Sequence, residues 1–153
     1  MQTGILKELF STLLSKDDLV QFISASKVIS ENSKHIVSQG LDHHFKNEFF
    51  ASIHILVPQI EEIIRTFLRI KSKGTTKYSH SEEGLQEKLL VGLLDELEGL
   101  IDPNFLEYRS VRLTPKASNI RNKVCHGWME AKAFDETLSW TIVDLILRLG
   151  VLS

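Results

Sequence analysis

From His43 to Ile70 the chain reads HHFKNEFFASIHILVPQIEEIIRTFLRI, and this stretch decides the fold. Phe49, Ile53, Leu56, Val57, Ile60, Ile64 and Phe67 recur at three- and four-residue steps. On a helix of about 3.6 residues per turn they form one apolar stripe, the mark of an α-helix packed against a core. Pro58 lies inside it. Proline removes a backbone donor and crowds the preceding turn, so a kink or a break into two helices is expected there. Glu62, Arg65 and Arg69 fall opposite the stripe as a charged ridge, the pattern also made by solvent-exposed helix pairs.

Working outward, helical periodicity dominates. Ile5, Leu6, Leu9, Leu13 and Leu14 make a short stripe, and Asp17 or Asp18 is expected to cap a second helix carrying Leu19, Phe22 and Ile23. Ser30 to Gln39 is polar, with Gly40 as its expected end. Residues 1–40 read as an accessory helical layer and 41–153 as the main helical domain. Lys71 to Ser81 reads as a mobile basic loop, and Leu85 to Leu100 as a helix turning Leu89, Leu90, Leu93, Leu94 and Leu97 inward. Asp102-Pro103 suits the start of a helix running to about Leu113. Pro115 should stop the chain, Ser118 should cap a short helix through Cys125 or His126, and Gly127 should close it. The last helix, about Ala133 to Leu149, has one stripe of Phe134, Leu138, Ile142, Leu145 and Leu149 and a second of Trp140, Val143 and Leu147. With no strand-like alternation and no hairpin turn pair, the expected fold class is all-α with no sheet.

Composition narrows the function classes. A chain of 153 residues with 42% hydrophobic and 25% charged side chains suits one folded domain. One cysteine, Cys125, permits no disulfide framework and suits a reducing compartment. No signal-peptide pattern and no apolar run near the roughly 18 residues of a membrane span is present, so a cytoplasmic protein is expected. A net charge of −2 disfavours an indiscriminate nucleic-acid coat. Yet 10 of the 18 Lys and Arg residues lie in two acid-free windows, between Glu62 and Glu82 and between Glu107 and Glu130. These windows suit two local positive surfaces for a phosphodiester chain, or solvated helix faces. Arg69, Lys71, Lys73, Arg112, Lys116 and Lys123 are the candidate RNA contacts they contain.

The chemistry-bearing stretch is Arg121-Asn122-Lys123-Val124-Cys125-His126-Gly127. On a short helix Asn122 and His126 share a face, with Arg121 beside them. The set offers a fixed cation, an amide that donates and accepts, and a group able to exchange protons near neutral pH. RNA brings its own nucleophile, the ribose 2′-OH. Cleavage then needs a base, a cation for developing phosphoryl charge and a proton for the departing oxygen. By spacing alone the same residues also suit a hydrogen-bond network that closes the last helix. The histidines lack a metal-ligand spacing, and neither a metal nor a cofactor is expected.

Arg121-Asn122-x-x-x-His126-Gly127 resembles the RNxxxHG signature of an uncharacterised helical family assigned to the HEPN superfamily, whose hallmark is Arg, four to six residues, then His. His54 to Arg65, with Pro58-x-x-Glu61 and the later Arg65, resembles that family's upstream helix. The likeness covers roughly Leu41 to Val151; residues 1–40 fall outside it, and family members are often longer. The resemblance implies a HEPN-like helical bundle and a metal-independent endoribonuclease acting on single-stranded RNA. It implies Arg121 and His126 as the catalytic pair and Asn122 as a positioning group, with Glu62 and Arg65 expected to orient the pair. It also implies a homodimer whose motifs meet, sometimes beside an antitoxin or within a larger architecture. The stripe of Trp140, Val143 and Leu147 suits coverage by the N-terminal helices or by another subunit, and part of it is expected to contribute to that dimer surface. One toxin branch has a tyrosine two residues after the histidine that its partner modifies with AMP; Trp128 stands there in this chain, so that control is not expected. The alternative reading is a non-catalytic helical module for dimerisation or for RNA or nucleotide binding.

Overall fold

A computed structural model describes residues 12–79, 84–113 and 119–153, with side chains described for all of these except 79 and 109–113. Among the described residues the α-helices are α1 Lys16–Ala25, α2 Glu31–Phe45, α3 Phe49–Ile70, α4 Leu90–Glu96, α5 Pro103–Leu113, α6 Ile120–Cys125 and α7 Glu136–Gly150. A 3-10 turn, Ala131–Ala133, precedes α7, and a two-stranded antiparallel hairpin, β1 Thr76–Ser79 and β2 Gly84–Glu87, follows α3.

Helix α3 is the axis of the molecule, with α2, α4, α6 and α7 packed against it. Its predicted stripe is buried from Ile53 to Phe67, and Ile63 and Leu68 outside that stripe are buried as well. A helix enclosed this widely sits inside the domain rather than on its surface. Pro58 lies within one unbroken helix, so the expected break is absent. The helix begins at Phe49, because His43 to Phe45 belong to α2. Asn47, at φ 61°, turns the chain between them. The N–H groups of Asn47 and Glu48 donate to the carbonyls of His44 (3.0 Å) and His43 (2.9 Å), a Schellman closure.

Helix α2 runs through Gly40 instead of ending there. A Cβ at Gly40 would collide with the Leu56 side chain, so this glycine lets two helices approach closely and does not terminate one. The expected division at residue 40 therefore falls inside a continuous helix. Leu19, Ile23, Val37 and Leu41 share one core cluster with α3 and α7. Helix α1 is capped by Ser15 in a reciprocal capping box with Asp18, whereas Asp17 or Asp18 had been the expected cap. Of the first predicted stripe, Ile5, Leu6 and Leu9 lie outside the described residues.

The hairpin corrects the expectation of no sheet. Thr76 pairs with Glu87 and Tyr78 with Leu85, in the place of the expected loop and of the expected start of the next helix. β-branched and aromatic residues favour the extended form, and the ladder is tied down where the Lys88 N–H donates to the Thr75 carbonyl at 2.8 Å. Helix α4 starts only at Leu90, and Leu89 is exposed rather than inward. Asp102 caps α5 as predicted, accepting from the N–H groups of Asn104 and Phe105.

Ile142, Leu145 and Leu149 of the first α7 stripe and Trp140 and Val143 of the second are buried within the chain, whereas Leu138 and Leu147 are half-buried. Trp140 is 5% exposed, set edge-on to His44 (4.2 Å) and Phe45 (6.0 Å), and Val143 is buried. Leu147 lines a groove with Leu14, Leu19 and Phe22 of the N-terminal layer. Trp140 and Val143 are thus withdrawn from the expected dimer surface by packing within the chain, and Leu147 is left half-buried on the groove. At the ends of α7, Asp135 caps Leu138 and Ser26 Oγ donates to the Gly150 carbonyl at 2.8 Å.

Candidate functional site

Helix α6 is short, and packing decides its orientation. Ile120 and Val124, one turn apart, are buried against the core. Arg121 and Asn122 are left at the half-buried rim, with Lys123, Cys125 and His126 exposed. Ser118, the expected cap, lies outside the described residues; the residue before the helix is Asn119, at φ 49°. The far end closes as a Schellman motif. Gly127 sits at φ 68°, its N–H donating to the Val124 carbonyl (3.3 Å), while the Trp128 N–H donates to the Lys123 carbonyl (2.9 Å). This closure sets His126 at the C-cap of the helix and Trp128 two residues beyond it.

Arg121 is held from two sides. Its Nε and Nη2 lie 3.2 and 3.1 Å from Glu61 Oε2, and its Nη1 donates to Asn122 Oδ1 at 3.0 Å. The same Glu61 accepts from Arg65 Nη2 at 2.5 Å through its other oxygen. Arg65 is buried and donates through Nη1 to Glu87 Oε2 (2.8 Å) and to the Lys88 carbonyl (3.0 Å). Arg69 pairs with Glu62 at 3.1 Å and stands 3.9 Å from Glu87. A chain of alternating charges thus runs from α6 through α3 to β2.

Glu61, and not Glu62, is therefore the carboxylate that touches Arg121. Arg65 reaches Arg121 only through Glu61, and Glu62 serves Arg69. Two signals pointed to Glu61: the Pro58-x-x-Glu61 spacing, and its place four residues before Arg65. The charged ridge expected on α3 is also less positive than its basic residues suggest, because Glu61, Glu62 and Glu87 face Arg65 and Arg69. Lys71, Lys73 and Lys123 are exposed, and the Lys71 ammonium lies over the Phe67 ring. Lys71 lies ten residues beyond Glu61, about 15 Å along the α3 axis, so it is not part of the Arg121 cluster. Arg112 belongs to α5 without a described side chain, and Lys116 lies outside the described residues.

Three further histidines have local partners. His44 is buried with Nδ1 2.7 Å from Ser139 Oγ, and burial pushes its pKa down to about 4. His43 pairs with Glu48, and His54 stacks on Phe134. Among the described residues no group of three or more His, Cys, Asp and Glu is placed to hold a metal ion, and Cys125 is a free thiol. Among the same residues no helix is long and apolar enough to cross a membrane.

Fold and site together define a helical domain with a clamped arginine and an exposed histidine on one short, glycine-closed helix. Comparisons with family models, with curated proteins and with solved structures give no match to this chain.

Proposed function

We propose that this chain is an RNA-directed, HEPN-like domain that cleaves single-stranded RNA without a metal ion. The observation that carries the reading is an Arg121 held in place by Glu61 and Asn122 on the same short helix that ends at an exposed His126. Glu61 and Asn122 engage only part of the guanidinium's donor set, so the rest can meet a phosphate. In the proposed reaction His126 takes the proton of the ribose 2′-OH and the oxygen attacks the adjacent phosphorus. Arg121 stabilises the charge that builds on the phosphoryl oxygens, and the 5′-oxygen departs with a proton returned from the imidazolium or from water. The products are a 2′,3′-cyclic phosphate and a 5′-hydroxyl. The resemblance implies that two copies bring their motifs together, and the surface around His126 is where they would meet. An antitoxin partner is part of the same expectation.

The test is incubation of labelled RNA with the purified protein in EDTA. Cyclic-phosphate ends should appear, and His126→Ala should lower the rate by about 100-fold or more while leaving the circular dichroism unchanged. Arg121→Lys should not restore the rate, because an ammonium cannot reproduce the guanidinium fork. Cleavage of DNA, or activity only with magnesium, would sink the chemistry. A second reading is favoured by the Arg121–Glu61 ion pair itself: a non-catalytic RNA-binding, nucleotide-binding or dimerisation module in which Arg121 anchors α6 to α3. Salt-dependent RNA binding without any cleavage would establish it.

A further inference from the structure

The least economical side chain on this surface is Trp128. An indole carries a large apolar area, and folded chains usually bury it. Trp140 follows that rule at 5% exposed, but Trp128 is 68% exposed. Its backbone is nevertheless held. The Schellman closure fixes its backbone through the bond to the Lys123 carbonyl, and Gly127 supplies the positive φ that the closure requires. Its ring lies nearly parallel to the His126 imidazole, with centroids 5.0 Å apart and planes 26° from each other. An indole so exposed, with the imidazole against one face, turns its other face to solvent. Lys123, in the same closing turn, is an exposed cation.

A flat, solvent-facing aromatic ring on a held backbone, in the same turn as an exposed cation, is the arrangement that binds single-stranded nucleic acid. Any base offers a π-face to stack on. We infer that Trp128 is a nucleobase subsite: its free face stacks a base of the strand whose phosphate lies at Arg121 and His126. This rests on the RNA-directed reading above, and it adds the surface that would seat the substrate there.

The test uses binding rather than turnover. The probe is a short 2′-O-methyl oligoadenylate, which lacks the 2′-hydroxyl and cannot be cut, beside an abasic oligonucleotide of equal length. Trp128 dominates any accessible fluorescence signal because Trp140 is buried. Oligoadenylate should quench the wild-type emission saturably, and the abasic strand should leave it unchanged. Trp128→Ala should bind oligoadenylate about ten-fold more weakly, and Trp128→Phe should recover part of that loss. Both variants should keep the wild-type melting temperature, since the ring is exposed. Oligoadenylate bound equally by wild type and Trp128→Ala, but more weakly by Lys123→Ala, would overturn the subsite and leave the RNA reading standing. No binding by the wild type even at low salt would overturn both. A wild-type dimer that Trp128→Ala converts to a monomer, with emission indifferent to oligoadenylate, would assign the ring to a protein interface and overturn the subsite.

Discussion

Glu61 and Glu62 are neighbours with different surroundings. The Glu61 side chain is 14% exposed and bridges Arg65 and Arg121, whereas that of Glu62 is 39% exposed and pairs mainly with Arg69. Removing one partner of a largely buried pair leaves an uncompensated charge, and solvent offsets little of it at Glu61. Glu61→Gln should cost about 2 kcal/mol in urea unfolding, and Glu62→Gln under about 0.5 kcal/mol. Equal losses would remove Glu61 from its bridging role. His44 governs a different measurement. Its folded pKa of about 4 lies below the ordinary value of 6.5, because burial disfavours the imidazolium. The unfolded chain therefore binds the proton first as pH falls. Stability should be complete above about pH 6.5 and decline toward pH 4, by about 3 kcal/mol from this group, with no further loss from it below. His44→Gln should flatten the slope in that window, measured by urea unfolding at stepped pH. An unchanged slope would show that other groups carry it.

At the scale of elements, the crossing of α2 and α3 depends on Gly40. In an open helix, replacing glycine with alanine adds up to about 1 kcal/mol of stability. Here the added methyl meets the buried Leu56 side chain, so the sign should reverse. Gly40→Ala is expected to lower unfolding stability by about 1–2 kcal/mol, through displacement of a packed core residue; a stabilised variant would mean that the helices can part without cost. The hairpin belongs to the same scale. Its register was not legible in the sequence because Leu85 points to solvent and the strands carry no apolar alternation. The described ties that hold it come from elsewhere: Arg65 of α3 bonds Glu87 and the Lys88 carbonyl, and Lys88 pairs with Glu96 of α4 at 2.5 Å. Local propensity cannot reveal a strand whose anchor is a buried arginine on another helix.

For the whole molecule, the N-terminal layer is a structural half and not a decoration. Leu19 and Ile23 of α1, and Val37 and Leu41 of α2, are each at most 2% exposed, in one cluster with α3 and α7. Deleting residues 1–45 would uncover the apolar faces of α3 and α7 together. The truncated chain should lose its cooperative urea transition and its near-ultraviolet dichroism, and should expose the indole of Trp140 to quenchers. A sharp two-state transition in the fragment would instead mark 46–153 as self-sufficient.

The sequence by itself determined the helical class, the central helix with its buried stripe, the capped start of α5 and the glycine-closed turn after His126. Each of these rests on a local cause: apolar period, a capping side chain, or a residue free to take positive φ. It also set Asn122 and His126 one turn apart on one short helix, with Arg121 next to Asn122. Only the tertiary structure decided what lies across from them. Glu61, 60 residues away in the chain, meets Arg121 because Ile120 and Val124 bury α6 on α3. Tertiary packing likewise covered Trp140 and Val143 while leaving Trp128 in solvent. Burial depends on which surfaces meet, and that is a property of the assembled helices rather than of any one of them.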